Sequence, residues 1–279
     1  MRGGAITGYN TSKFMLWQPT TDGEDLFLRL FEGLGNHLAL RGPDDAGLGF
    51  LVAPSRFTEF ARLTATLEVF LRCIGHAKAF HQDQAHMPST TLGAILGKEL
   101  DLPARLARDR RFCESAKRAG ANAATRPRSK AIERTVVSEE PPYCYLCAIH
   151  LTKTQGAPDQ RTIEHLWPLS LGGDSSEGNL TLACKHCNDT RQHCITWAWG
   201  PVQSTYHARS GDDDPPRDLR LSLALARMML VAAGTDSSAR RLTLKEAART
   251  SGPGFPSLTL ADNRHYVYFE LFAQVEARL

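Results

Sequence analysis

The sequence lacks any apolar run long enough to cross a bilayer. Its most apolar stretch, residues 221–233, is too short for a span and is interrupted by Arg227. The first residues also lack the apolar segment of a secretory signal peptide. The seven cysteines are an odd number, and four of them form two CxxC pairs, which argues against a disulfide framework. These absences predict a protein of the reducing cytoplasm with no membrane partner.

The chain also lacks a strong overall charge, since its formal net charge is only +3. A uniformly basic nucleic-acid binder is therefore excluded, but the basic residues are unevenly distributed. Residues 105–134 contain ten Lys and Arg against three acidic residues. This stretch is either a solvated helix followed by a linker or an arm that contacts nucleic-acid phosphates. The arginines predicted to contact nucleic acid are Arg105, Arg108, Arg110 and Arg111.

The spacing of hydrophobic residues divides the chain into three predicted regions. Its 279 residues are enough for two compact units, or for one core with elaborations. Residues 1–134 are predicted to be mostly helical, with the basic helix and linker at their end, and residues 212–279 form a helical C-terminal region. Residues 135–211 have a different pattern, rich in turns and in metal-binding side chains.

Local patterns predict where individual elements begin and end. The predicted helix starts are Asp25, Ser55, Asp101 followed by Pro103, and a capping box of Thr243 and Glu246. Gly120, Asn122 and Pro127 predict a loop over residues 119–130. The β-branched residues at 135–137 predict a strand that enters the central region, and those at 162–163 predict a strand that ends at Glu164 and His165.

Two CxxC pairs enclose the residues of the chain that are best suited to metal binding and catalysis. The pairs are Cys144/Cys147 and Cys184/Cys187. Each CxxC turn lets two thiolates reach one metal ion, so two pairs predict a tetrahedral zinc site. A closed shell of four thiolates leaves zinc no position for water, so any chemistry falls to the residues between and beside the pairs. One alternative is a zinc ribbon in which the Asn after Cys187 only caps a helix, and another is a site in which His150, His186 or His193 replaces a cysteine.

The order and spacing of these residues resemble an HNH endonuclease of the ββα-metal superfamily. The positions that carry the resemblance are Cys144, Cys147, Glu164, His165, Pro168, Gly172, Gly173, Asn179, Leu180, Cys184, Cys187, Asn188 and Arg191. The resemblance implies a small ββα unit held together by the four-cysteine zinc site, within a chain that is otherwise mainly α. Zinc is needed because such a unit buries little apolar surface of its own.

The resemblance also implies roles for individual side chains. His165 is the general base, and Glu164 and Asn188 supply oxygen ligands to a catalytic Mg²⁺ or Mn²⁺. Asn179 orients the base by holding the backbone of its loop. Arg191 lies one helical turn after Asn188 and either holds the phosphate or is an ordinary surface arginine.

The predicted activity is hydrolysis of DNA by a divalent-metal-dependent endonuclease or nickase. The products are a 5′-phosphate and a 3′-hydroxyl. The helical flanks favour a restriction or phage-defence enzyme that works with other subunits, by analogy of layout alone. A zinc-stapled DNA- or protein-binding module without catalysis is the alternative function, and an RNA-directed nuclease is a third.

Overall fold

A computed structural model of the protein describes residues 17–34, 54–195 and 240–251, together with a few helical residues between 225 and 232. For residues 54–61 it describes only the backbone. The boundary predicted at 211/212 lies outside the described residues, as does most of the predicted C-terminal helical region.

The described elements are mostly helices, with one small sheet. The helices are α1 (Asp22–Leu34), α2 (Pro54–Gln84), α3 (Ser89–Glu99), α4 (Ala104–Ala107), α5 (Arg110–Thr125), α6 (Lys130–Glu139), α7 (Lys185–Arg191) and α8 (Leu244–Ser251). The strands are β1 (Arg161–His165) and β2 (Leu180–Cys184). The predicted mainly α fold with a small ββα unit is confirmed. None of the described helices has the length and apolar character of a membrane span.

A capping box starts α1 four residues before the predicted position, with Thr21 as the N-cap instead of Asp25. The Glu24 backbone N–H donates to Thr21 Oγ1 at 3.2 Å, and the Glu24 carboxylate accepts from the Thr21 N–H at 2.9 Å. This reciprocal pair satisfies backbone groups that the first turn leaves without helical partners. Asp25 is therefore inside the first turn, where it pairs with Arg29 at 2.6 Å, and its predicted capping role is wrong. The predicted box of Thr243 and Glu246 is confirmed at the start of α8.

The predicted basic helix is two helices, and the predicted loop after it is helical. Asp101 has a left-handed φ of 51°, and the longer helix α5 is instead capped by Asp109, which accepts from the Phe112 N–H at 2.7 Å. Helix α5 continues to Thr125 because Gly120 lets it cross α2 closely. A Cβ at Gly120 would lie 2.4 Å from the carbonyl oxygen of Ala77. The predicted loop over 119–130 therefore shrinks to the connector between α5 and α6.

The strand predicted at residues 135–137 is also wrong, because these residues belong to α6. Ser129 caps this helix by accepting a 3.4 Å hydrogen bond from the Ile132 N–H, and Val136 is buried against the sheet side of the molecule. The intrinsic preference of β-branched residues for strands is small and is outweighed by this capping and burial. The predicted region boundary at 134/135 therefore falls inside a helix.

The ββα unit consists of β1, β2 and α7. The two strands are antiparallel, with Arg161 opposite Cys184 and His165 opposite Leu180. Residues 166–179 connect them through two short 3₁₀ turns, and α7 follows β2 directly. This arrangement places the end of β1 beside the first turns of α7.

Trp167 anchors the connecting loop in the core of the helical region. Its ring is fully buried, and its centroid lies 5.6 Å from that of Phe27 and 5.7 Å from that of Phe70. Trp17 completes the aromatic cluster at 6.1 Å. Burying several aromatic side chains together is a large apolar contribution. The ββα unit therefore shares its core with α1 and α2 and does not rely on its own small interior alone.

Candidate active site and zinc centre

The first CxxC pair lies in a tight hairpin that begins at an antiparallel bridge between Tyr143 and His150. The Cys144 N–H donates to the Ile149 carbonyl at 2.9 Å, and Ala148 turns the chain with a left-handed φ of 68°. The second pair spans the junction of β2 and α7, where Cys184 is the N-cap residue of the helix. The two pairs meet because the hairpin and this junction are adjacent.

The four thiol groups fit one zinc ion. Their sulfur atoms all lie within 4.8 Å of one another, and those of Cys147 and Cys184 are 3.7 Å apart. Zn–S bonds of about 2.3 Å in a tetrahedron give sulfur separations of about 3.8 Å. The predicted four-cysteine set is confirmed as the cluster. Within the part of the chain that the structure describes, no histidine joins it.

The orientation of the Asn188 amide follows from its hydrogen bonds. Its Nδ2 donates to Thr162 Oγ1 at 3.0 Å and approaches the Ile163 carbonyl at 3.5 Å. Thr162 Oγ1 itself donates to the Ala183 carbonyl at 2.9 Å, so it can only accept from Asn188. The nitrogen end of the amide therefore faces β1. The Oδ1 end accepts no hydrogen bond from the described residues and remains available to a ligand.

Glu164 and Arg191 form a buried ion pair between β1 and α7. The guanidinium Nη1 contacts Glu164 Oε1 and also donates to the His165 carbonyl at 2.8 Å. Its other nitrogens donate to the carbonyls of Leu166 and Cys194 at 2.5 and 3.0 Å. Because the Arg191 side chain has no exposed surface, the predicted phosphate contact and the surface alternative are both wrong. Burial raises the pKa of Glu164, and the charge of Arg191 opposes that shift.

Replacing Arg191 by Ala is expected to cost about 3–5 kcal/mol of unfolding free energy. The change would leave the Glu164 carboxylate and several backbone carbonyls buried without their donor. Arg191→Lys should recover only part of the loss, because an ammonium group cannot reproduce the planar fork of donors. Chemical denaturation would measure the effect, with the exposed Arg111→Ala as a control. If Arg191→Ala loses no more unfolding free energy than Arg111→Ala, the buried ion pair does not stabilise the fold.

His165, at the end of β1, is the candidate general base. Its Nε2 lies 3.1 Å from Ser175 Oγ in the connecting loop. Burial, reinforced by the charges of Arg128 and Arg191, lowers the pKa of His165 to about 4. The ring is therefore neutral near neutral pH, as a general base must be.

Asn179 holds the loop that leads away from His165. Its Oδ1 accepts from the Trp167 N–H at 2.6 Å, and its Nδ2 donates to the carbonyls of Trp167 and Asp174 at 2.9 and 2.7 Å. Both ends of the amide are thus used on the backbone of one loop. Gly172 in the same loop has a φ of 83°, and a Cβ there would lie 2.7 Å from that of Ala119 in α5.

Glu164, His165 and Asn188 line a single open cleft of about 970 Å³. The connector between α5 and α6 also lines this cleft, through the exposed Arg126 and Arg128. Among the described residues, neither arginine has an acidic partner in an ion pair. Sequence reasoning missed both, although they belong to the basic stretch and are closer in sequence to the motif than the arginines it selected.

The predicted arginines Arg105, Arg108, Arg110 and Arg111 are all exposed but do not line the cleft. They lie in α4, at its C-terminal cap and at the start of α5, whereas the connector residues that line the cleft follow the end of α5. The 16 residues of α5 span about 22 Å. Arg110 is also paired with Glu114 at 2.7 Å. The structure therefore separates these four arginines from the candidate active site by the length of a helix.

Comparison with protein families agrees with the geometry of this unit. Residues 144–193 match the family model described as HNH endonuclease. This segment, with its four-cysteine cluster, is therefore an HNH unit, and it identifies the protein as a candidate nuclease of the HNH type. Comparisons with curated proteins and with solved structures find no match for the chain.

Proposed function

We propose that this protein is a divalent-metal-dependent endonuclease that cleaves DNA at the cleft beside β1. The observation that carries the proposal is that one cleft brings together a neutral imidazole, an amide oxygen and two arginines that have no ion-pair partner among the described residues. A zinc module that only binds nucleic acid could use the arginines, but it would need neither the imidazole nor the amide oxygen in the same cleft.

The oxygen donors in the cleft fit a hard cation such as Mg²⁺ or Mn²⁺. Asn188 offers its Oδ1, and Glu164 keeps a second carboxylate oxygen besides the one that Arg191 contacts. Few protein ligands are needed, because Mg²⁺ retains several of its waters. When bound, the cation would stabilise the charge that develops on the phosphate and on the leaving oxygen.

In the proposed reaction, His165 removes a proton from the water that attacks phosphorus. A new P–O bond forms, the bond from phosphorus to the 3′ oxygen breaks, and that oxygen acquires a proton from solvent. The products are a 5′-phosphate and a 3′-hydroxyl. Ser175 Oγ contacts the ring of His165, and Asn179 keeps the adjoining loop in place.

Incubation with supercoiled plasmid tests this function. We expect nicked or linear product with Mg²⁺ or Mn²⁺ and none after chelation with EDTA, and end-labelling should find the 5′-phosphate. Competition with RNA of the same sequence distinguishes DNA from RNA as the preferred substrate. Binding without cleavage at any cation concentration would favour the non-catalytic module. A restriction or phage-defence role with other subunits remains a prediction.

We propose that Arg126 and Arg128 contact the phosphates on either side of the scissile bond. Replacing both with Ala should weaken DNA binding and reduce the slope of log K against log salt by about 2, since each phosphate contact contributes roughly 1. Binding is best measured in a His165→Ala background, where the DNA stays intact. Cleavage by the otherwise wild-type double variant should fall even at saturating DNA.

The comparison variant replaces Arg105, Arg108, Arg110 and Arg111 with Ala. If these arginines form the predicted arm, the variant should also bind a long duplex more weakly. Its cleavage at saturating DNA should stay unchanged, since these residues are remote from the cleft. An unchanged salt slope in this variant would leave the arginines as solvated surface. An unchanged salt slope in the Arg126/Arg128 variant would exclude contacts between these two arginines and the phosphates.

A further inference from the structure

A chain of two hydrogen bonds determines which nitrogen of His165 carries the proton. Ser175 Oγ lies 2.6 Å from the carbonyl oxygen of Pro127, and a carbonyl can only accept. The single hydroxyl proton of Ser175 is therefore used on Pro127. The same Oγ lies 3.1 Å from His165 Nε2, where it must act as the acceptor. His165 consequently carries its proton on Nε2, and its Nδ1 holds the free lone pair.

We propose that Ser175 is a positioning residue for the reaction, which selects Nδ1 of His165 as the nitrogen that accepts the proton of the attacking water. The inference rests on the proposed nuclease function. Ser175 is itself buried, so water does not compete freely for its hydroxyl. A fixed partner on one ring nitrogen sets both the tautomer and the direction of the other nitrogen.

The same chain of bonds connects the base to the helical region. Pro127 lies between Arg126 and Arg128, in the connector from α5 to α6. The segment proposed to hold the phosphate therefore also supports the ring that activates the water. A single connector would thus align two parts of the site, although it belongs to neither β1 nor α7.

The first test reads the tautomer directly by ¹⁵N NMR of histidine-labelled, full-length, zinc-loaded protein at neutral pH. Resonances that disappear in His165→Ala identify the ring. We expect a protonated, slowly exchanging Nε2 and an unprotonated Nδ1 in the wild type. The slowly exchanging proton should be lost in Ser175→Ala. A wild-type ring protonated on Nδ1 would overturn the proposal, and this reading needs no substrate.

The second test is kinetic. Ser175→Ala should lower kcat for plasmid cleavage by about 10- to 100-fold with little change in KM, because the ring loses its orientation and not its access to DNA. Ser175→Thr keeps a hydroxyl and should recover most of the rate. Ser176→Ala, next in the chain, is the matched control and should cleave like the wild type.

The outcomes separate this inference from the proposed function. Wild-type cleavage by Ser175→Ala, or a change confined to KM, would exclude a positioning role while leaving the nuclease proposal intact. Absence of any metal-dependent cleavage in the wild type would exclude the function, and the NMR result would still decide the tautomer. Zinc content and hydrogen exchange check that each variant folds. If Ser175→Ala does not fold, the tautomer of His165 in the wild-type protein decides the inference.

Discussion

Replacing His165 by Ala is expected to reduce the rate of DNA cleavage by about 100- to 10,000-fold, the range typical for the loss of a general base. The change removes the neutral imidazole at the end of β1 and leaves the zinc cluster and the Glu164–Arg191 pair in place. DNA binding should persist, because the proposed phosphate contacts come from the connector. Single-turnover cleavage of plasmid, with zinc content measured in parallel, would establish the result.

A second histidine in the same cleft provides the competing assignment. His193 lines the cleft and lies 3.0 Å from Ser170 Oγ through its Nδ1. If His193→Ala lost cleavage and His165→Ala retained it, the base would have to be reassigned. Asn188→Ala is the companion variant for the metal site, and it should require a higher Mg²⁺ concentration for the same rate.

Loss of the zinc site is expected to unfold the HNH unit while the helical core survives. Apparent zinc-binding energies of structural sites are on the order of 10 kcal/mol, and that energy is also folding energy. Cys147→Ser is the most informative variant, because Cys147 is the exposed member of the cluster. Its replacement removes a zinc ligand without leaving a cavity in the core. Hydrogen exchange should lose protection in β1, β2 and α7 but keep it in α2 and α5.

Cys194 is the natural control for the zinc experiment. It is a cysteine of the same segment, but it is not a member of the four-sulfur cluster. Native mass spectrometry should find one zinc ion per chain in the wild type and in Cys194→Ser, and less in Cys147→Ser. Full zinc occupancy with unchanged protection in Cys147→Ser would show that the ion does not hold this unit together.

Much of the site can be predicted from sequence because its side chains follow one another at characteristic intervals. The CxxC pairs predict the zinc cluster, and the β-branched Thr162 and Ile163 predict the strand that ends at His165. The same local reasoning also finds the capping box at Thr243 and Glu246. The box at Thr21 and Glu24 has the same pattern, but Asp25, which directly follows it, is an equally suitable N-cap residue by type.

The errors fall where a distant contact outweighs a local preference. Gly120 predicts a loop, yet it lies inside α5 because that helix crosses α2 at close range. Residues 135–137 read as a strand, yet the cap at Ser129 and the burial of Val136 make them helical. Local propensities are worth a few tenths of a kcal/mol per residue, so one buried contact can reverse them.

By itself, the sequence determined the four-cysteine cluster, the strand that carries His165 and the HNH unit at residues 144–193, because these depend on residues close together in the chain. Only the tertiary structure decided that Arg191 is a buried partner of Glu164, and that Arg126 and Arg128 face the cleft. It also decided that Ser175, which contacts His165, donates to the carbonyl of Pro127, 48 residues before Ser175. Partnerships over such distances depend on how helices cross and loops pack, and no interval in the sequence encodes them.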